Sequence, residues 1–198
     1  MKKLLSLILL LSFNIKAQDV KIGTQTWSTK NLDVSTYRNG DDIPEVKDAK
    51  AWANLTTGAW CYYENRAANG TKYGKLYNWY AVNDPRGLAP SGYHIPTDAE
   101  WTILTDNLGD KAGTKMKSSS SWKNNGNGTN TSGFAGLSGG CRNYFGNFYA
   151  IGANGYWGSS SELNAAHAWY RILYSGGGNV TRDANSKQDG FSVRCLRD

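Results

Sequence analysis

Alternating apolar and polar positions mark the start and the end of this chain. In "DVKIGTQTW" (19–27), Val20 and Ile22 stand between polar neighbours before Gly23, which predicts an opening strand and a turn. Asn39-Gly40 inside "TYRNGDDIPEV" (36–46) is a strong turn signal, and "GAWCYYEN" (58–65) is short, aromatic and strand-like. The period changes in "KYGKLYNWYAV" (72–82). There Tyr73, Leu76, Trp79 and Tyr80 recur at three- and four-residue spacing, predicting a short helix or helical turn stopped by Asn83-Asp84-Pro85.

The clearest helix start lies in "SGYHIPTDAEW" (91–101). Pro96 disfavours helix at Ile95, and Thr97 with Glu100 three residues on matches a capping box. Trp101, Leu104 and Leu108 then share a face, with Ile103 beside it and Gly109 as the stop. Asp98 and Glu100 fall where a helix N-terminus favours negative charge, so both acids have a structural explanation. His94 precedes the cap in an extended segment.

Residues 112–133 form a polar tract of Ser, Asn and Gly, predicted to be a long surface loop with only Trp122 and Met116 able to reach a core. Short strands follow. In "AWYRILY", Trp169, Arg171 and Leu173 alternate with Tyr170, Ile172 and Tyr174. In "GFSVRCLRD", Phe191, Val193 and Cys195 alternate with Ser192 and Arg194, the pattern of a half-buried antiparallel strand. The predicted class is α+β, with a few helices early, short antiparallel strands late and long loops between.

The N-terminus changes the picture of where the protein works. "MKKLLSLILLLSFNIKA" has two lysines and then an apolar run, so residues 1–17 are expected to be a secretory signal peptide. Residues 18–198 are then one domain, secreted or held at the outer cell surface, with no later segment apolar enough to span a bilayer. The net charge of +6 falls to +3 once Lys2, Lys3 and Lys16 leave, too mild and too evenly spread for nucleic acid. With 23 Gly, 12 Tyr and 8 Trp against few Leu, Ile and Val, the core must be built from aromatic rings. Of the three cysteines, Cys61, Cys141 and Cys195, at most two can pair within the chain, and export permits a disulfide.

Seven segments come in an order that carries a resemblance: "VKIGTQTW", "YGKLYNWYAVND", "GYHIPTDAEWT", "SGFAGL", "NGYWGSSSE", "AWYR" and "GFSVRCLRD". Over about residues 20–198 the chain resembles the Fibrobacter succinogenes major paralogous domain family. That family is similar to the C-type-lectin-like superfamily that includes formylglycine-generating enzymes. "HIPTDAEW" is similar to the helix start of those enzymes, and the C-terminal segments resemble the variable region of binding proteins diversified by retroelements. The resemblance implies a C-type-lectin-like fold in which the terminal strands pair and a long loop region presents ligand-binding residues. Where many relatives carry a cysteine this chain has Ala89, so the usual partner of Cys195 is missing. A Cys61–Cys195 bridge is then favoured over a pair with Cys141, and would contribute about 2–4 kcal/mol.

The expected function is a non-catalytic binding module whose ligand is a carbohydrate or a cell-surface protein. Tyr and Trp faces can stack on sugar rings while Asn, Arg and Asp bond to hydroxyls. Of the aromatic residues in the last third, Trp157 and Trp169 are assigned to the core. The expected ligand contacts are Tyr170, Tyr174, Arg182, Asn179, Asn185 and Arg171, together with Tyr156, with Tyr170, Tyr174 and Arg182 the most exposed. Catalysis is not expected. There is no close cysteine pair, no Gly-x-Ser-x-Gly elbow and no partner for His167, so Glu162 is the one carboxylate left for a hydrolase. No cofactor is expected either. Lectin-like folds use calcium, yet the chain has neither Glu-Pro-Asn nor Trp-Asn-Asp, and the Asp183/Asp189 spacing is unspecific.

Overall fold

The computed structural model describes residues 19–198, and the signal peptide expected at 1–17 lies outside them. Strands β1 (Asp19–Ile22) and β2 (Gln25–Ser28) form a hairpin around Gly23, which sits at φ 60°. Helix α1 (Ala49–Ala53) is capped by Asp48, whose carboxylate accepts from the Ala51 N–H at 2.7 Å.

The helix expected at 72–82 is two helices with a strand between them. Strand β3 (Trp60–Cys61) is followed by α2 (Ala67–Tyr73), β4 (Leu76–Tyr77) and α3 (Trp79–Val82). Helix α2 stops at Gly74, at φ 74°, where a Cβ would lie 2.8 Å from the Leu32 carbonyl. Leu76 and Tyr77 pair with β3 instead of continuing a helix, and Asn78 caps α3 by accepting from the Ala81 N–H.

Strand β5 (Tyr93–His94) leads into α4 (Asp98–Leu108), and here the sequence pattern holds in full. Thr97 accepts from the Glu100 N–H while the Glu100 carboxylate accepts from the Thr97 N–H, and Gly109 ends the helix at φ 63°. His94 closes this corner. Its Nδ1 lies 2.7 Å from Asp198 and its Nε2 2.9 Å from Glu100. Burial works against the imidazolium, but bonds to Asp198 and Glu100 outweigh it and raise the pKa. The stabilisation from His94 is therefore complete below the unfolded value of about 6.5 and is lost as pH rises through the raised folded value. His94→Gln is expected to remove that decline from urea midpoints measured across neutral pH, whereas an unchanged pH slope would refute the assignment.

Helix α5 (Ala112–Met116) opens the polar tract, which is pinned down along its length. Met116 and Trp122 are buried, and the Trp122 indole donates to Ser118 Oγ and the Gly136 carbonyl, both at 3.1 Å. The buried Lys117 ammonium donates to the carbonyls of Tyr174, Ser175 and Gly177, tying the tract to a turn far along the chain.

The last third holds β6 (Cys141–Arg142) paired with β7 (Phe148–Tyr149), and a sheet of β8 (Asn154–Glu162), β9 (His167–Tyr174) and β10 (Val180–Ser186). The sheet is antiparallel in the order β10-β9-β8. Strand β11 (Leu196–Arg197) joins β2 to β5, so the two ends of the described chain meet in one sheet, β1-β2-β11-β5. The fold is α+β. No helix among the described residues is long and apolar enough to cross a membrane.

Aromatic rings form the central core, as the composition requires. Trp27 and Trp101 lie 4.7 Å apart between centroids, and Phe134 packs edge-on against both and against Trp157 at 5.7 Å. Two expectations fail nearby. "GFSVRCLRD" is not a half-exposed strand, because Ser192 and Arg194 are as buried as Val193 and Cys195. The disulfide is absent. Cys61, Cys141 and Cys195 are all free, each walled into a different apolar cluster with Leu76, Ile172 and Val193 respectively.

Candidate functional site

The six expected contact residues do not form one surface. Cross-strand partners share a face, so the pairings Arg182↔Arg171 and Asp183↔Tyr170 put the arginines and Tyr170 on opposite sides. Tyr170 is 6% exposed and stacks on Phe191 at 4.5 Å, with its hydroxyl 3.4 Å from Asp183. Tyr156 packs against both rings of that pair, 5.8 Å from Phe191 and 6.2 Å from Tyr170. Arg171 is 2% exposed and donates to Asp98 Oδ1 at 2.7 Å, the Asp98 carbonyl at 2.9 Å and Thr102 Oγ1 at 3.1 Å. Both Tyr170 and Arg171 are therefore structural, because β9 is the middle strand and is covered on both faces. Arg182 is half-exposed but held by Asp98 at 2.8 Å, with its guanidinium 3.4 Å from the Trp169 ring centroid. Tyr174 (38% exposed) and Asn179 face solvent, and Asn185 is half-buried opposite Ala168. Trp157 is a core residue as expected, whereas Trp169 is only half-buried under Arg182.

Trp169 instead opens onto a small surface pocket with room for about one water molecule. Its aromatic walls are Tyr77, Trp79, Trp169 and Phe191, and Ser159 and Ser186 supply hydroxyls. Asp189 also lines it, 4% exposed. Four stretches distant in sequence build this cleft, and the backbone fixes each. Asn78 starts α3, and the Trp79 N–H donates to the Lys187 carbonyl at 3.0 Å. Tyr77 and Phe191 exchange backbone bonds at 2.9 and 3.0 Å, and Arg142 and Gly190 do the same at 3.0 and 2.7 Å. The segment carrying Asp189 is thus clamped on both sides. Gly190 is required there, since a Cβ would lie 2.8 Å from the Trp52 ring.

Two residues lining this pocket have a buried polar atom without a partner, the Trp79 indole Nε1 and Asp189 Oδ1, and both atoms are closed off from solvent. Burial pushes the Asp189 carboxyl up to about 7, against the Tyr144 backbone N–H, which lowers it. At the rim the Lys187 ammonium sits 4.2 Å from the Trp79 ring centroid and donates to Glu162 at 2.6 Å. Glu162 thus serves as the counter-ion of Lys187.

A family model for the Fibrobacter succinogenes major domain matches residues 20–197. The chain belongs to the Fibrobacter succinogenes major domain family. No curated protein matches it. In this member of the family the remaining chemistry-bearing groups are tied up elsewhere. Burial pushes the thiols of Cys61, Cys141 and Cys195 up to about 12, far from a reactive thiolate. His167 bonds to Asn164 in the β8–β9 turn. No group of three or more His, Cys, Asp or Glu side chains that could hold a metal ion occurs among the described residues.

The sequence reading missed this cleft. Trp79 reads as one ring in a helical stripe, and Asp189 drew notice only as a weak calcium candidate. The available signal was a carboxylate in "KQDGF" with no arginine beside it, directly before an aromatic segment.

Proposed function

We propose that this family member is a secreted or cell-surface binding module without catalytic activity, and that it takes a glycan against the half-buried indoles of Trp79 and Trp169. The observation that carries the proposal is the pair of half-buried indoles, Trp79 and Trp169, that line one surface pocket with Ser159 and Ser186. Flat rings cover the C–H face of a sugar, and the Ser159 and Ser186 hydroxyls beside them can bond to sugar hydroxyls. The raised cysteine thiols and the engagement of His94 and Glu162 support a non-catalytic role. The meeting of β2 with β11 and the long tract at 112–133 are features that a C-type-lectin-like fold would have. The expected signal peptide supports export.

The mature chain tested on a glycan array is expected to bind a subset of ligands. Trp79→Ala and Trp169→Ala should each weaken that binding at least about tenfold, as loss of a stacking ring does, while Tyr174→Ala leaves it unchanged. Loss with Tyr174→Ala and not with the tryptophan variants would move the site to the β9–β10 turn. One observation favours a protein partner: Tyr144 and Phe145, with rings 4.1 Å apart, are both exposed. Binding to no glycan, with capture lost on Phe145→Ser, would favour that reading.

A further inference from the structure

The charge beside the two indoles is unequal. The register of β9 and β10 puts Arg182, Ala184 and Ser186 on the face that carries Arg171 and Trp169. Ala184 lies directly opposite Trp169, with Arg182 further along the strand on one side and Ser186 on the other. Strand β10 is the outer strand of its sheet, and the Arg182 side chain is 46% exposed.

Two arginines share one carboxylate here. Arg171 and Arg182 both bind Asp98, at 2.7 and 2.8 Å. Lys187, over the Trp79 ring, is bound to Glu162. The cations Arg171, Arg182 and Lys187 therefore outnumber the anions Asp98 and Glu162 by one. Asp189 does not offset this charge in weak acid, because burial favours its neutral form. The groups that sense it, Tyr144, Cys141 and Tyr170, lie on the other side of β9.

The accessible part of that excess is Arg182. Arg171 is buried and spends its donors on Asp98 and Thr102. The Nε and Nη2 of Arg182 donate to the two Asp98 oxygens, and its Nη1 makes no hydrogen bond among the described residues. The guanidinium lies 3.4 Å from the Trp169 ring centroid, so a ligand against Trp169 meets an open N–H donor with full positive charge. Such a group recognises a carboxylate.

We propose that the preferred glycan is acidic, with a sugar carboxylate bound by Arg182 at the Trp169 end of the site. This rests on the glycan reading of the same indoles. From Arg182 to Ser186 an extended strand covers about 13 Å, longer than one sugar ring, so the charged unit and the unit beside Ser186 are different residues of one oligomer.

Calorimetric titration at about pH 6, where sugar carboxylates are ionised, would compare tetramers of galacturonic and glucuronic acid with their methyl esters, which keep the skeleton and remove the charge. At least one acid is expected to bind at least about fivefold more tightly than its ester, and the preference should shrink as sodium chloride rises from about 50 to about 500 mM. Arg182→Gln should erase the preference and leave the ester affinities unchanged, and Arg182→Lys should keep part of it. Equal binding of acids and esters that Trp169→Ala weakens would overturn the acidic assignment and leave the glycan reading standing. A preference that survives Arg182→Gln, or an Arg182→Gln loss equal for acids and esters, would overturn the assignment as well. Acid binding that needs Arg182 but survives Trp79→Ala and Trp169→Ala would sustain the carboxylate contact and end the indole reading. Binding of no tetramer would overturn both.

Discussion

Arg194→Ala is expected to cost on the order of 3–5 kcal/mol and to lower the melting temperature by roughly 10 °C. Arg194 is 0% exposed, and every bond from its guanidinium crosses between segments. It donates to Asn31 Oδ1 at 2.7 Å, the Ser28 carbonyl at 2.8 Å, the Phe134 carbonyl at 2.9 Å and the Ala135 carbonyl at 3.1 Å. None of these acceptors is a carboxylate. Desolvation is therefore poorly compensated, and burial pushes the guanidinium pKa down to about 9. Alanine leaves the acceptors unpaired and opens a cavity beside Phe134, over whose ring the guanidinium lies at 4.5 Å. Arg194→Lys should recover only part of the loss, because one ammonium cannot reach acceptors spread around a planar fork. Urea denaturation of the three proteins checks the order wild type, Lys, Ala. An Arg194→Ala midpoint equal to wild type would mean that the hub carries no weight.

Asp98→Ala should destabilise by a similar amount, about 3–5 kcal/mol, for a different reason. Asp98 opens α4 and receives both Arg171 and Arg182, so it fastens that helix to the three-stranded sheet. Without it the Arg171 guanidinium stays buried with only the Asp98 backbone carbonyl, Thr102 and a long bond to the Tyr170 carbonyl as acceptors. Arg182 is half-exposed, so Arg182→Ala should cost under about 1 kcal/mol. The asymmetry identifies Arg171–Asp98 as the pair that matters. Burial opposes ionisation of Asp98, but hydrogen bonds from Arg182 and Arg171 prevail and hold its pKa below the usual range. That contribution is present above the unfolded value of about 3.9 and is lost as pH falls through the depressed folded value. Wild type should therefore lose stability toward acid more steeply than Asp98→Ala. Equal acid slopes would contradict the assignment.

Local patterns were legible and distant ones were not. The Thr97–Glu100 box and the turns at Gly23 and Asn39-Gly40 are written within a few residues, and each forms as the pattern requires. Strand parity misled at Arg171, Tyr170 and Arg194. Alternation shows which side chains share a face, but it cannot show that both faces of β9 are covered, by α4 on one side and the Phe191 segment on the other. The three cysteines look like disulfide candidates by count, and only the packing shows that each lies in its own cluster. The cleft is the extreme case. Residues 77–82, 158–159, 168–169 and 186–191 meet through backbone pairing between strands, and no spacing within one segment encodes it.

The most direct test of the cleft is a titration followed through the eight tryptophan indole N–H signals by nuclear magnetic resonance. Tetramers of glucose, N-acetylglucosamine and glucosamine would be added in turn. The Trp79 and Trp169 signals should move most, since a sugar laid against their rings changes the surroundings of both indoles, while Trp27, Trp101 and Trp157 in the core stay fixed. Binding of any of the three with Trp79 unmoved, or with the shifts gathered around Tyr174 and Asn179, would contradict the account.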